Sequence, residues 1–433
     1  MKVKFIHPKD DSIDYLKNRR GFGYPLLTFP VLAAYNPGTV DEVEIIDEEY
    51  EEIDFDDPVD LVGITTMTYL APRAYKIADN YRQRGVKVVM GGMHVSALPD
   101  EALEHADAVV IGEGEEAWPM VVEDFLKNEL KPVYRAPGLF DMGKYRPARL
   151  DLFKKYAKTT PSSSSSASSK YANIALFEVS RGCPYNCDFC AVTHFYGKKY
   201  RFRDLNRLFE DVKSAKLKYR ARLAGFVDDN LYGNKNYFKK FIKKIERLNL
   251  SWSGQVSVNV GDDPDTVKMM ADSGCQGVFI GFESLSQKSL KSINKNVNNV
   301  DRYHYLIDLM AENNIKVFPS IIFGLDGDEP DIFEKTLEFL KAHRDTIGYT
   351  TFSVITPLPG TRFYRRMLEE NRIIVHDWKY YNFNNVVIKP LLMSVEELQQ
   401  GYDRVIEQYD FEAAFSTTLK IMNGKISRAD NIY

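Results

Sequence analysis

Cys183, Cys187 and Cys190 stand within eight residues of one another, in the run Glu178-Val-Ser-Arg-Gly-Cys-Pro-Tyr-Asn-Cys-Asp-Phe-Cys190. A C-x3-C-x2-C spacing lets one short loop reach three corners of an iron–sulfur cubane, with Gly182 and Pro184 setting its turn. The irons of such clusters are usually saturated by four thiolates, so three leave one iron open to a ligand. A structural zinc with His194 as fourth ligand is the alternative, though no second C-x2-C or H-x3-H pair accompanies it. Cys275 lies far along the chain and reads as a small buried hydrophobe.

The trio follows a β-rich run, Ile174 to Val179, which opens a series continued by Leu223 to Val227, Gln255 to Val258, Gly277 to Gly281, Val317 to Phe323 and Thr350 to Ile355. Between them, Lys235 to Leu248 and Asp301 to Asn313 have helical spacing. Six strands with crossover helices predict a partial (β/α)6 barrel, whose ligands bind at the C-terminal strand ends. Chemistry-bearing residues collect at those ends. Asp228 and Asp229 follow the second strand, and a carboxylate there can accept hydrogen bonds from an ammonium. Gln255 and Ser257 end the third strand, Glu283 and Ser284 the fourth, and Gly324 begins a turn where backbone can approach a ring closely. Arg201 and Arg203 follow the cysteine loop as candidates to neutralise a carboxylate, with surface salt bridges as the other reading.

From about Asn173 to Glu370 these motifs resemble the radical S-adenosylmethionine (SAM) superfamily. The resemblance implies a [4Fe–4S] cluster on Cys183, Cys187 and Cys190, with SAM chelating the open iron through its amino and carboxylate groups. It further implies Phe189 against the adenine, one of Asp228 and Asp229 on the methionyl ammonium, Ser257 and Glu283 at the ribose hydroxyls, Gln255 on the same cofactor-binding rim, and Gly324 beside the adenine.

The first 135 or so residues carry another pattern: short β runs at Val3 to Ile6, Val43 to Ile46, Leu61 to Thr65, Val86 to Met90 and Ala108 to Ile111, alternating with helices. This predicts a parallel, doubly wound, Rossmann-like sheet whose ligand edge carries Gly91-Gly92 and Gly112-Glu113-Gly114-Glu115. Together with Gly63-Ile-Thr65-Thr66-Met67 and Tyr24-Pro25, these residues resemble the cobalamin (B12)-binding domain that precedes the barrel in one radical SAM subgroup. The resemblance implies backbone at Gly91, Gly92 and Gly114 beneath a flat corrin. It places Thr65, Thr66 and Glu113 on its propionamides and tail, and Tyr24, Pro25, Met67 and Glu115 around it. The D-x-H-x-x-G motif that gives cobalt a protein histidine is absent, and His7-Pro-Lys-Asp-Asp-Ser12 stands after the first strand, so cobalt without a histidine ligand is expected. His94 reads as a rim loop residue.

The expected organisation is therefore α/β: residues 1–138 a B12-type domain, 139–172 a linker ending in a Ser/Ala tract, 173–370 the barrel, and 371–433 a small helical extension with a helix from Val395 to Tyr409. That extension, at His376-Asp-Trp378 and Met393 to Leu398, resembles those of radical SAM proteins acting on hopanoid lipids and related apolar natural products. The implied function is a cobalamin-dependent methyltransferase acting on an unactivated carbon of an apolar or natural-product substrate, with an external donor such as flavodoxin or ferredoxin. Cyclisation, rearrangement or oxidation without methyl transfer is the alternative, and a non-catalytic sensor a further one. With 433 residues, 44% hydrophobic, 27% charged and a net charge of -4, the chain is long enough for several cores and has no basic excess for nucleic acid. A charged N-terminus and the lack of a long apolar run lead us to expect a cytoplasmic protein without a transmembrane segment.

Overall fold

The computed structural model describes residues 1–11, 26–49, 51–152, 174–219, 221–411 and 414. Two six-stranded sheets organise them. The first holds β1 (Lys2–His7), β2 (Glu42–Asp47), β3 (Leu61–Thr65), β4 (Lys87–Gly91), β5 (Ala108–Ile111) and β6 (Val133–Arg135) in the order β2-β1-β3-β4-β5-β6. Every neighbouring pair is parallel. Parallel strands are covered on both faces, which is why β5 is four consecutive buried apolar residues and why Val3, Phe5 and Ile6 of β1 are all buried. Lys4 is buried too, because its Nζ reaches Asp57 at 2.9 Å. Phe5 packs between Phe29 and Trp118, the latter on the helix Ala117–Leu126. The order reverses between β1 and β3, and such a switch point opens a crevice at the C-terminal strand ends.

The second sheet runs β14-β13-β12-β11-β10-β7, parallel throughout, in the manner of an opened barrel. Its strands are β7 (Ile174–Phe177), β10 (Leu223–Phe226), β11 (Ser251–Val256), β12 (Cys275–Glu283), β13 (Lys316–Phe323) and β14 (Thr351–Val354). The Rossmann-like sheet and six-stranded partial barrel expected from the sequence are both present. β11 begins four residues before the expected Gln255, because its anchor is Trp252: the indole is fully buried against Phe226, Phe238 and Phe241 and donates to Ser273 Oγ at 3.0 Å. Cys275 is buried at the start of β12, as expected of a small hydrophobe.

Two further strands, β8 (Ser180–Arg181) and β9 (Arg201–Phe202), form an antiparallel ribbon that closes the base of the cysteine loop. At two residues each they leave no periodicity to read. The first part of the expected linker is packed rather than exposed: Phe140, Met142, Tyr145 and Leu150 are buried. The Ser/Ala tract lies outside the described residues. In the extension, Ser394 and Glu397 form a reciprocal capping box that starts the helix Val395–Gln408, whose Leu398, Tyr402 and Val405 are buried over β14 and the helix Ile332–Ala342. Among the described residues no helix is long and apolar enough to cross a membrane.

Candidate active site between two sheet edges

The C-terminal edge of the first sheet and the ends of β7 and β10 of the second open into one cavity of about 410 Å3. From the first sheet come His7, Thr65, Thr66, Met67, Gly91, Gly92 and Gly112 to Glu115; from the barrel come Glu178, Arg181, Phe195, Tyr196 and Val227. The first-sheet wall is largely backbone and apolar side chain. Gly92 has φ 101°, and a Cβ there would lie 2.7 Å from Thr66 O and 2.8 Å from Thr65 Oγ1, so only glycine lets the β3 and β4 ends approach. The close neighbour at Gly92 is thus protein, not a ligand. Gly112, at φ 82°, would put its Cβ in open space. Thr66 Oγ1 donates to Met67 O at 2.8 Å, and Met67 is partly exposed on the wall. Tyr24 and Pro25 lie outside the described residues.

Glu113 departs from the role expected for it. Its oxygens accept from Arg181 Nη1 at 2.8 Å, from Arg201 Nη1 at 2.9 Å and from the Phe140 N–H at 2.9 Å, leaving no open lone pair for a corrin amide. Glu115 is held by Arg181 Nη2 at 2.5 Å. His94 is not a loop residue but sits buried in the short helix Met93–Ala97, with Nε2 3.1 Å from Tyr75 Oη and 3.3 Å from Glu101. The histidine on the cavity wall is His7, whose Nδ1 is 3.6 Å from Asp47.

The cysteine loop is pinned from three sides. Asp188 N donates to Ile293 O at 3.0 Å, Asn294 Nδ2 to Asn186 O at 2.8 Å, and Arg362 Nε to Asp188 Oδ1 at 2.9 Å. Burial pushes all three thiols above their ordinary range, Cys190 up to about 12, while the Lys295 ammonium pulls them back. Thiols so desolvated become thiolates only beside a stronger positive charge, which fits a bound iron cluster. Asn230 fits it as well. Its buried Nδ2 has no hydrogen-bond partner among the described residues, and the Asn230 side chain acts on the neighbouring Cys183 thiol to lower its pKa. Among the described residues no three His, Cys, Asp or Glu side chains converge on a single-ion site, and His194 packs against Gly360 instead. Phe189 is half-buried beside the loop, with Lys295 Nζ 6.0 Å from its ring centre.

The two aspartates part company. Asp228 is turned inward, accepting from the N–H groups of Val179 and Ser180 and from Ser180 Oγ at 2.6 Å, so it clamps the end of β7 and is not placed to receive an ammonium. Burial raises its carboxyl to about 8. Asp229 is half-buried and raised to about 7, first by burial and then by Glu178, against a bond from the Gly182 N–H. Gln255 is exposed and donates to Asp229 O at 3.0 Å. Ser257 Oγ donates to Asn259 Oδ1 at 2.6 Å. Glu283, at φ 63°, faces Lys295 Nζ at 2.7 Å. Gly324 does not open toward a ligand: a Cβ there would lie 2.5 Å from Leu398 Cδ2, so the glycine makes room for the C-terminal helix. Arg201 and Arg203 are buried, the first on Glu113 and the second on Asp211, so neither forms a surface bridge.

Comparison with known proteins accounts for this pairing of edges. Residues 177–340 match the radical SAM superfamily model, and residues 29–122 match the B12 binding domain model. A bacteriochlorophyllide d C-8(2)-methyltransferase of Chlorobaculum tepidum is 32% identical over 392 residues, covering 87% of this chain and 84% of that one. The chain belongs to the radical SAM superfamily, in its B12-binding subgroup. This radical SAM protein is an enzyme whose cofactors are a [4Fe–4S] cluster, SAM and cobalamin. An anaerobic magnesium-protoporphyrin IX monomethyl ester cyclase of Rubrivivax gelatinosus is 24% identical, with 94% of this chain and 77% of that one covered. The solved radical SAM methyltransferase TsrM of Kitasatospora setae, with cobalamin and cluster bound, shares the fold at a TM-score of 0.66 and 16% identity, over 96% of this chain and 82% of that one.

Several residues around the radical SAM loop had no sequence signal. Asn230, Lys295 and Arg362 are common residue types far apart in the chain; only the parallel order of the barrel strands, with the segments that follow β10, β12 and β14 all at one end of the sheet, brings them to the cysteine loop.

Proposed function

We propose that this radical SAM enzyme is a methyltransferase that adds methyl to an unactivated carbon of an apolar small molecule. The observation that carries the reading is the shared cavity: the ligand edge of the B12-type sheet and the strand ends flanking the cysteine loop line one space. When bound, the cluster supplies the electron that cleaves SAM and cobalamin serves as the methyl carrier, chemistry that belongs to the cofactors. Cys183, Cys187 and Cys190 hold the cluster, and Asn230 donates toward the Cys183 sulfur. Asp229 accepts from the ammonium of SAM, while Gln255, Ser257 and Glu283 line the neighbouring rim and Phe189 offers a flat face. Thr65, Thr66, Met67, Gly91, Gly92 and Gly112 form the corrin floor. Phe195, Tyr196 and Val227 line the barrel side of the cavity and exclude water from the reacting carbon. The relative that methylates bacteriochlorophyllide d supports an apolar substrate. A flavodoxin- or ferredoxin-class protein supplies electrons, as suits a cytoplasmic enzyme.

The cyclase relative favours a second reading, ring closure without methyl transfer. One experiment separates them. Anaerobically reconstituted holoenzyme is reduced and given SAM with a trideuterated methyl group, excess hydroxocobalamin and bacteriochlorophyllide d as probe. Methyl transfer yields both S-adenosylhomocysteine and 5′-deoxyadenosine. 5′-Deoxyadenosine without any S-adenosylhomocysteine overturns the methyltransferase reading in favour of cyclisation or rearrangement.

A further inference from the structure

We propose that Glu113 and Arg181 are positioning residues that set the separation between the cysteine loop and the B12-type sheet, rather than ligands of the corrin. Arg181 stands two residues before Cys183 and is register-paired with Arg201 on the ribbon that closes the loop. Its guanidinium engages three carboxylates: Nε with Glu178 at 2.7 Å, Nη1 with Glu113 at 2.8 Å and Nη2 with Glu115 at 2.5 Å. Glu113 and Glu115 come from the turn after β5 of the first sheet; Glu178 comes from the end of β7 in the barrel. Arg201 grips Glu113 from the other side and also donates to Phe140 O at 2.6 Å, in the packed segment joining the sheets. Tyr196 and Phe140 lie 5.4 and 5.7 Å from the Arg181 guanidinium carbon. Arg181, Glu113 and Glu115 are all buried.

A planar fork bonded to both sheets fixes distance and angle together, which a point charge cannot do. The need for it follows from the cavity. Two reacting groups held by separate sheets lose roughly a hundredfold in rate for a misplacement of about 1 Å, and Arg181 joins the last strand end before the cluster to the floor opposite. The inference rests on cobalamin occupying the cavity.

The test uses reconstituted holoenzyme of wild type, Arg181→Lys and Glu113→Gln. It measures iron and cobalamin content, the spin–spin distance between cob(II)alamin and the reduced cluster by pulsed electron paramagnetic resonance, and the two SAM products. The variants should keep iron and corrin, show a shifted or broadened distance, and lose about a hundredfold in S-adenosylhomocysteine formation with far less loss of 5′-deoxyadenosine. An unchanged distance in both variants overturns the proposal. So does a Glu113→Gln protein that loses corrin with its cluster intact, since Glu113 would then be a ligand. Should either variant fail to fold, Arg201→Lys, which keeps the charge and loses the fork, is read by the same distance. A wild type that takes up no cobalamin overturns the underlying functional reading as well, and is distinct from a loaded enzyme with unmoved distance.

Discussion

The strand ends of the two sheets are built differently. The B12-type edge offers mostly backbone and apolar side chain, with Gly91, Gly92 and Gly112 at strand ends, Thr65, Thr66 and Met67 beside them, and Glu113 and Glu115 drawn onto Arg181. The barrel edge offers side chains already held by others: Glu283 by Lys295, Ser257 by Asn259, Asp228 by the β7 backbone. A broad flat ligand needs a wall from which nothing protrudes, whereas a small charged one needs donors and acceptors fixed before it arrives.

The comparison is tested hardest at the cysteines. Alanine at Cys183, Cys187 or Cys190 should abolish SAM cleavage and remove most iron, measured by iron content and 5′-deoxyadenosine. Cys275→Ala should keep both and cost about 1 kcal/mol of stability. Next come the glycines. Gly92→Val should eject cobalamin while leaving the iron–sulfur absorbance, because the new Cβ drives Thr65 and Thr66 off the rim. Gly112→Ala meets only backbone strain of about 1 kcal/mol and should retain corrin; equal losses from both would show the two glycines to be interchangeable. The aspartates should differ next. Asp229→Asn should weaken SAM binding roughly tenfold to a hundredfold, the worth of a charge-assisted bond, and Asp228→Asn much less. Asp228 shows instead in stability. Its carboxyl is raised from 3.8 to about 8, so its contribution is greatest below about pH 4 and is lost as pH rises through about 8. Melting temperature should therefore decline over that window in wild type and flatten in Asp228→Asn. Smallest is His7→Ala. Although His7 lines the cavity, cob(II)alamin should show no nitrogen splitting in its paramagnetic resonance and corrin should stay bound; a splitting lost in this variant would make His7 a cobalt ligand.

The architecture was legible because both sheets are parallel and buried on both faces, so their strands are near-continuous apolar runs such as Ala108–Ile111 and Ile174–Phe177. β6 escaped, a three-residue edge strand with one buried residue, Tyr134. The site was legible where chemistry is local, as in the cysteine run. It was misread where a residue type suits two tasks. Glu113 and Gly324 sit at strand ends, as ligand residues do, yet one answers two arginines and the other a leucine from distant segments. Asp228 and Asp229 are indistinguishable as letters; which of them turns inward is decided by the backbone of β7, which no spacing within the pair reveals.

The helix Val395–Gln408 has a consequence for the making of the protein. Its Leu398 seats against Gly324, and its Tyr402 and Val405 join the core of the barrel. A ribosome adding about 5 to 20 residues per second finishes the first sheet, at Arg135, long before this helix emerges. The cover of β14 is then among the last pieces of the described chain to be synthesised. The nascent barrel passes that interval with an apolar flank bare, the condition in which growing chains stick to one another. Slowing translation over residues 355–395 should lower the yield of folded enzyme more than slowing it over 136–174.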